Sequence, residues 1–493
     1  MISEIKPYYL KVRVLKEPNF TKRSKGVETL IRYKDKLEET LKQSGEFEVL
    51  DYLDKKEASL IKDPQKPSIR RITKKIFTTK GQAEMFIEFQ PLFYDKSCIW
   101  WLWDIDKTVW KIVDEVDILN MIDVAVEKEV MNNPRKLGEI FMELKKVGRM
   151  NIPKPLDKKF ILFNNQLVNL DNPQEIITPS PKHFVTNQIP HKLGSSDKTP
   201  TIDKIFAEWV GDKYVKTLYQ ILAYCLYVDY PIHIIFYLFG EGLNGKSCFL
   251  NLLREFVGDD NCCSTDLEFL LASRFEKCRI HKKLIVTMGE TNLESIKNTS
   301  LLKSLSGNDL IGFEYKRKDP FEDVNYAKLI ISTNNLPPTL DKTIGFYRRM
   351  LIVDFPNKFS EKKDILNDIP SKEYENLCCK CLGILKDLLK VREFHMEGSI
   401  SEKIDRYEDR SNPLGKFLKD CIEESDEFIT VNQFKKKFDG WCRENRFREL
   451  GDVTINSLMK ARGYTQSRQR IEWYEGDKPT QKQARVWGGI TWK

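Results

Sequence analysis

The residues best suited to chemistry in this 493-residue chain are Gly240-Glu241-Gly242-Leu243-Asn244-Gly245-Lys246-Ser247, a G-x-x-x-x-G-K-S pattern. An apolar run from Ile232 to Phe239, broken by His233, precedes it and reads as a buried strand. Ser247 to Phe256 reads as a helix stopped by Gly258. Strand, loop and helix in that order are the context in which the pattern has meaning. Gly240, Gly242 and Gly245 let the backbone close on phosphate oxygens. Lys246 would bring charge to the β- and γ-phosphates and Ser247 would ligate Mg²⁺, while the helix N-terminus around Cys248 adds its dipole. A glycine-rich turn with a chance Lys-Ser is the plainer alternative. The expectation is a nucleoside-triphosphate site for ATP and Mg²⁺, formed by residues 240–248.

Two later apolar runs end in groups that such a site needs. Lys282 to Glu290 reads as a buried strand ending in an acid, and a parallel sheet would bring Glu290 to the γ-phosphate. There it could polarise water and help hold Mg²⁺, although Gly289 stands where a second acid is usual. Ala327 to Ser332 leads to Thr333-Asn334-Asn335, so Asn334 is a candidate γ-phosphate sensor, with an Asn turn as the alternative. Arg348 and Arg349 precede a strand, Leu351 to Phe355, and one of them could act as an arginine finger toward a neighbouring subunit.

Those elements sit in a chain long enough for several domains. A net charge of +8 over this length supports a polyanionic partner only weakly. The N-terminus lacks the apolar core of a signal peptide, and no run reaches the roughly 18 apolar residues of a membrane span. A soluble, cytoplasmic protein is expected. Eleven scattered cysteines fit a reducing compartment. Cys378-Cys379-Lys380-Cys381 falls on a helical pattern without a second ligand pair, so buried cysteines are expected there rather than zinc, and likewise at Cys262-Cys263.

Composition divides the chain into residues 1–75, basic and of unknown role; 76–200, a helical or mixed domain; 201–360, the nucleotide-binding core; 361–410, a helical lid or connector; and 411–493. Trp100, Trp101, Trp103 and Trp110 could stack on single-stranded bases, but a small aromatic core is the expected reading. Phe160 to Leu170 suggests a hairpin around Asn164-Asn165-Gln166. After Pro413, helix, short strand, two helices and a hairpin near Gly476 to Pro479 suggest a winged helix. Arg462, Arg468, Arg470, Lys482 and Arg485 would make its face basic, for DNA or for a protein partner.

Together these signatures resemble the superfamily 3 helicases, a branch of AAA+ ATPases, and within them the phage/plasmid primase C-terminal family that includes the poxvirus-type primase-helicase. A further stretch, Leu305 to Asp309 through Tyr315-Lys316-Arg317-Lys318 to Phe321, matches the family's channel hairpin. The resemblance covers roughly residues 77–493. It implies an α/β fold: a P-loop core with a parallel sheet, a mostly helical domain before it and a winged helix after it. It also implies that Lys316 grips single-stranded DNA with Arg317 and Lys318 beside it.

The activity so implied is ATP-dependent replicative DNA unwinding, 3′ to 5′ on single-stranded or forked DNA, by a ring that is a hexamer in the family. The source would be a virus, plasmid or integrated element. Residues 1–75 show no paired metal-binding acids, so a separate primase or polymerase would make primers. The rival readings are an ATP-controlled origin-binding initiator, a helicase loader, and an ATPase that packages or remodels duplex DNA. RNA as the moved strand stays open.

Overall fold

The computed structural model describes residues 79–125, 134–164, 166–289, 296, 299–337, 339, 341–359, 365–411, 413–444, 447, 449–475 and 478–493. The expected arm at 1–75, Glu290, Asn165 and the turn residues Gly476 and Asp477 lie outside the described residues.

The upstream unit opens with helix α1 (Thr79–Phe89) and an antiparallel sheet of β1 (Leu92–Tyr94), β2 (Trp100–Asp104) and β3 (Val109–Val113). Helices α2 (Glu115–Ala125) and α3 (Pro134–Met150) follow. Alternation along β2 sends Trp100 and Leu102 to the core beneath these helices and Trp101 and Trp103 to the opposite face. All four tryptophans are buried, Trp110 included, so they form the aromatic core and not a stacking platform. The stretch 76–200 is thus mixed rather than mostly helical. It continues with β4 (Lys154–Pro155), the hairpin β5 (Phe160–Phe163) and β6 (Gln166–Asn169), then β7 (Ile176–Ile177) and β8 (His183–Phe184).

Helices α4 (Pro200–Val210) and α5 (Asp212–Cys225) lead into the central sheet. Its strands are β9 (Ile235–Phe239), β10 (Cys262–Ser264), β11 (Ile285–Met288), β14 (Lys328–Thr333) and β15 (Met350–Asp354), in spatial order β10-β11-β14-β9-β15 and all parallel. Helices cover both faces, which is why the strands are apolar throughout. One face buries Phe236, Leu238, Ile330 and Leu351 against α4, α5, α6 (Lys246–Val257) and α11 (Ser371–Val391). The other buries Tyr237, Val286, Leu329, Ile331 and Ile352. Against it lie α7 (Leu267–Ala272), α8 (Lys277–Ile280), α9 (Ser300–Leu305), α10 (Ile344–Tyr347) and α12 (Ile400–Ser411). The expected lid or connector therefore packs on both faces of the sheet. Cys378 and Cys381 of α11 lie in its core, with burial raising both thiols. Cys262 and Cys263 belong to the edge strand β10.

Helix α4 begins with a proline, and its first turn is capped from far along the chain. The buried Glu373 carboxylate of α11 accepts from the Thr201 and Ile202 amides at 3.1 and 3.2 Å. An antiparallel hairpin, β12 (Leu310–Phe313) and β13 (Phe321–Val324), projects between β11 and β14 in sequence. The C-terminal unit comprises α13 (Pro413–Cys421), β16 (Ile422–Thr430), α14 (Val431–Glu444), α15 (Asp452–Ala461), β17 (Gln466–Glu475) and β18 (Lys478–Trp492). Its antiparallel sheet runs β16-β18-β17 around a core that includes Phe417, Phe434, Phe438, Ile455 and Trp487. No helix among the described residues is long and apolar enough to cross a membrane.

At the start of β14, the fully buried Lys328 donates to the carbonyls of Tyr227, Asp229 (2.7 Å) and Tyr326 (3.0 Å), with the Tyr224 ring 4.7 Å away. Burial lowers its pKa from 10.5 to about 7. Between those values the unfolded chain holds more protons than the folded one, so this group's contribution to stability rises with pH. Denaturant unfolding of wild type and Lys328→Met should therefore show a gap that shifts in favour of wild type from about pH 7 to about pH 9, by up to a few kcal/mol. Parallel pH profiles would mean that the three carbonyls keep the ammonium charged throughout.

Candidate phosphate-binding site

The loop after β9 is shaped by its glycines unequally. Gly245 has φ 91°, and a Cβ there would meet the Trp209 ring at 2.6 Å. A Cβ on Gly240 would meet Asn244 Nδ2 at 2.1 Å and the Phe355 carbonyl at 2.6 Å. Gly242 has open space around it. Leu243, at φ 61°, accepts from the Phe359 amide at 2.8 Å, and the buried Asn244 donates to the Phe355 carbonyl at 3.1 Å. The segment after β15 thus holds the loop from behind. Glu241 is exposed and pairs with Lys358.

Lys246 opens α6 and is 6% exposed. Its Nζ donates to the Gly240 carbonyl, the Glu241 carbonyl (2.9 Å), Asn244 Oδ1 (3.2 Å) and Asn334 Oδ1 (2.9 Å). Two sequence candidates 88 residues apart thus share a hydrogen bond, because β14 lies beside β9 and both end at the same edge. Gly245 offers no side chain to cap α6, so an anion can answer the N–H groups of its first turn. Ser247 is exposed beside it and Cys248 half-buried. A buried ammonium that bonds the loop's own oxygens next to a helix N-terminus fits a phosphate chain that displaces those oxygens. Ser247 is the described residue that would hold the accompanying Mg²⁺, together with Glu290, which follows β11 in the sequence.

Gly289 is exposed at the end of β11, which is separated from β9 by β14. Two strand spacings place that end roughly 10 Å from the phosphate loop. Arg348 and Arg349 precede β15 and therefore lie at the opposite edge, a strand length of roughly 15 Å away. They differ sharply. Arg349 is buried and donates to Ser306 Oγ (3.2 Å) and the carbonyls of Gly345 (2.5 Å) and Lys303 (3.4 Å), tying down the end of α9. Arg348 is exposed.

In the hairpin loop, Lys316 and Arg317 are exposed, and Arg317 sits at φ 65°. Lys318 folds back to donate to the Cys98 carbonyl at 2.9 Å. One grouping has no signature in the sequence. Arg410 of α12 forks onto Asp354 at 2.9 and 3.0 Å while lying 5.1 Å from the Phe239 ring, and Tyr214 joins the same carboxylate at 3.3 Å. These residues brace the sheet edge directly below the loop. They come from four separate elements, and nothing in their spacing links them.

Residues 238–349 match a family model described as a family of unknown function, DUF5906. Among solved structures, "The A form apo structure of NrS-1 C terminal region-CTR" is similar at 10% identity and TM-score 0.42, covering 83% of this chain and 98% of that one. "The A form apo structure of NrS-1 C terminal region-CTR(305-718)" is similar at 13% identity and TM-score 0.43, covering 83% and 99%. Likeness at this level supports no transfer of function.

The glycine geometry makes unequal demands. Gly245→Ala should lower stability by roughly 2 kcal/mol or more, from a strained φ and a clash with Trp209, and Gly240→Ala should also destabilise. Gly242→Ala should stay within about 0.5 kcal/mol of wild type. Equal effects of all three in denaturant titrations would refute this picture of the loop.

Proposed function

We propose that the chain is an ATP-driven replicative DNA helicase of a virus, plasmid or integrated element, working as a ring with ATP between subunits. The observation that carries this reading is the Lys246–Asn334 contact at the carboxyl edge of the parallel sheet, within a glycine-shaped loop. In it, residues 240–248 wrap the phosphates and Lys246 exchanges its loop oxygens for phosphate oxygens. Asn334 orients the γ-phosphate, and Glu290 polarises the attacking water. Mg²⁺, held by Ser247 and Glu290, would offset the charge of the phosphates.

The arginines support action across a subunit boundary. Arg348 lies too far from its own loop to reach it, yet it is exposed at the edge that a neighbour could face. We assign the finger to Arg348 and a bracing role to Arg349, whose guanidinium is already committed. Lys316 and Arg317 are the proposed grip on single-stranded DNA, with Lys318 anchoring their loop. A hexamer, forked DNA, a separate primase or polymerase and a cytoplasmic setting belong to the same proposal.

The element order of the C-terminal unit fits a winged helix. Arg462, Arg468, Arg470 and Arg485 are exposed there, and Arg468 faces Arg485 directly across β17 and β18. Like charges so placed repel unless an anion lies over them. That pair favours DNA over a protein partner, and it also gives weight to the second reading, an ATP-controlled origin-binding initiator or helicase loader.

Purified wild type should open a forked duplex with DNA-stimulated ATP hydrolysis, and Lys246→Ala should do neither. Hydrolysis without unwinding would remove the helicase reading. In that event, duplex binding lost on Arg468→Glu would point to the initiator. Arg348→Ala and Lys246→Ala, each inactive alone, should recover partial hydrolysis when mixed, since a mixed ring contains some complete sites. Failure to recover would place the finger elsewhere.

A further inference from the structure

His281 occupies the turn between α8 and β11 and is 7% exposed. Its imidazole is enclosed by the basic hairpin. Nδ1 lies 3.1 Å from the Tyr315 hydroxyl, and Nε2 lies 2.9 Å from Asp323 Oδ2. The Phe313 and Phe321 rings stand 5.0 and 5.1 Å from it. Burial lowers the His281 pKa, so the ring is neutral near pH 7, with one donor and one acceptor nitrogen. The Asp323 carboxylate is held ionised, well below the usual carboxylate range, by His281 and Lys282, so it can only accept. Nε2 therefore donates to Asp323, and the Tyr315 hydroxyl donates to Nδ1. The order carboxylate, imidazole, hydroxyl resembles a nucleophile relay. Burial, however, pushes the Tyr315 hydroxyl up and keeps it protonated, so the relay is a mechanical link.

The link joins two parts of the proposed machine. On one side, β11 runs from this turn to Met288, two residues before Glu290 in the sequence. On the other, Tyr315 is covalently next to Lys316. We propose that His281 is a positioning residue that couples the acid strand to the DNA-gripping hairpin, through hydrogen bonds to both of the hairpin's arms. The upstream tryptophan sheet packs against that hairpin. Phe321 and Tyr315 pack against the cluster of Phe93, Ile99, Trp101, Trp103 and Trp110, and Lys318 is bonded to Cys98. Hairpin and upstream sheet thus pack together, and His281 adds a polar link from the hairpin to the start of β11 beside the apolar packing of Ile311 and Phe313 on that strand.

This inference rests on the helicase reading, and its test separates the two. Tyr315→Phe keeps the ring stacked on Phe321, 5.8 Å away, and removes only the hydroxyl that holds His281. Its DNA-independent ATP hydrolysis should stay within about twofold of wild type, while stimulation by single-stranded DNA and base pairs opened per ATP both fall at least about fivefold. His281→Gln should behave likewise if it folds. A purely packing role would leave the coupling ratio of Tyr315→Phe at the wild-type value, and that result overturns the proposal. A wild type that opens no duplex overturns the helicase reading itself.

Discussion

Parallel strands have unlike ends, and most of the geometry here follows from that. Five crossings in one direction gather every strand's carboxyl end at one edge of the sheet and every amino end at the other. Each return must pass over a face, so both faces acquire helices and the strands lose any polar side. The phosphate-type loop, Asn334 and the end of β11 meet because the order β11-β14-β9 makes neighbours of segments far apart in sequence. The same rule sends Arg348 and Arg349 to the far edge, and burial then separates the roles of two adjacent, identical side chains.

The edge that carries the loop is held by charges and amides that the loop itself does not supply. Asp354 collects Arg410 and Tyr214, Asn244 reaches the Phe355 carbonyl, and Phe359 bonds Leu243. Helices α4 and α12 flank the sheet in sequence and contribute Trp209 beneath Gly245 and the arginine beside Phe239. The loop is thus built on a rim fixed by hydrogen bonds from other segments.

The parts legible in the sequence were those with a local signal. Strand, glycine loop and helix from Ile232 to Phe256 emerge nearly as periodicity predicts, and so do β14, β15, α11 and the hairpin from Phe160. The tryptophans fall in a core, the plainer of the two readings that their sequence allowed. What stayed illegible was long-range. β10 has three residues and no pattern to mark it. Helix α12 is rich in charge, and Tyr407, with Ile404 beside it, ties it to the sheet's core. His281 was one of three polar residues before an apolar strand, and its partners lie 34 and 42 residues downstream. Which of Arg348 and Arg349 is buried depends on which one bonds the end of α9, and no local spacing encodes that.

The carboxylate of Glu373 over the first turn of α4 has a consequence for how the chain comes to be folded. The helix lies under the phosphate-type loop, but its cap sits more than 170 residues later, beyond β15. During synthesis the amides of Thr201 and Ile202 stay without this partner until the whole sheet and the start of α11 have emerged. The loop, although complete early, is therefore mounted on a helix that is finished last. A ribosome-bound fragment ending after β15 would hold every strand of the central sheet and still lack the cap on the helix beneath the glycine loop.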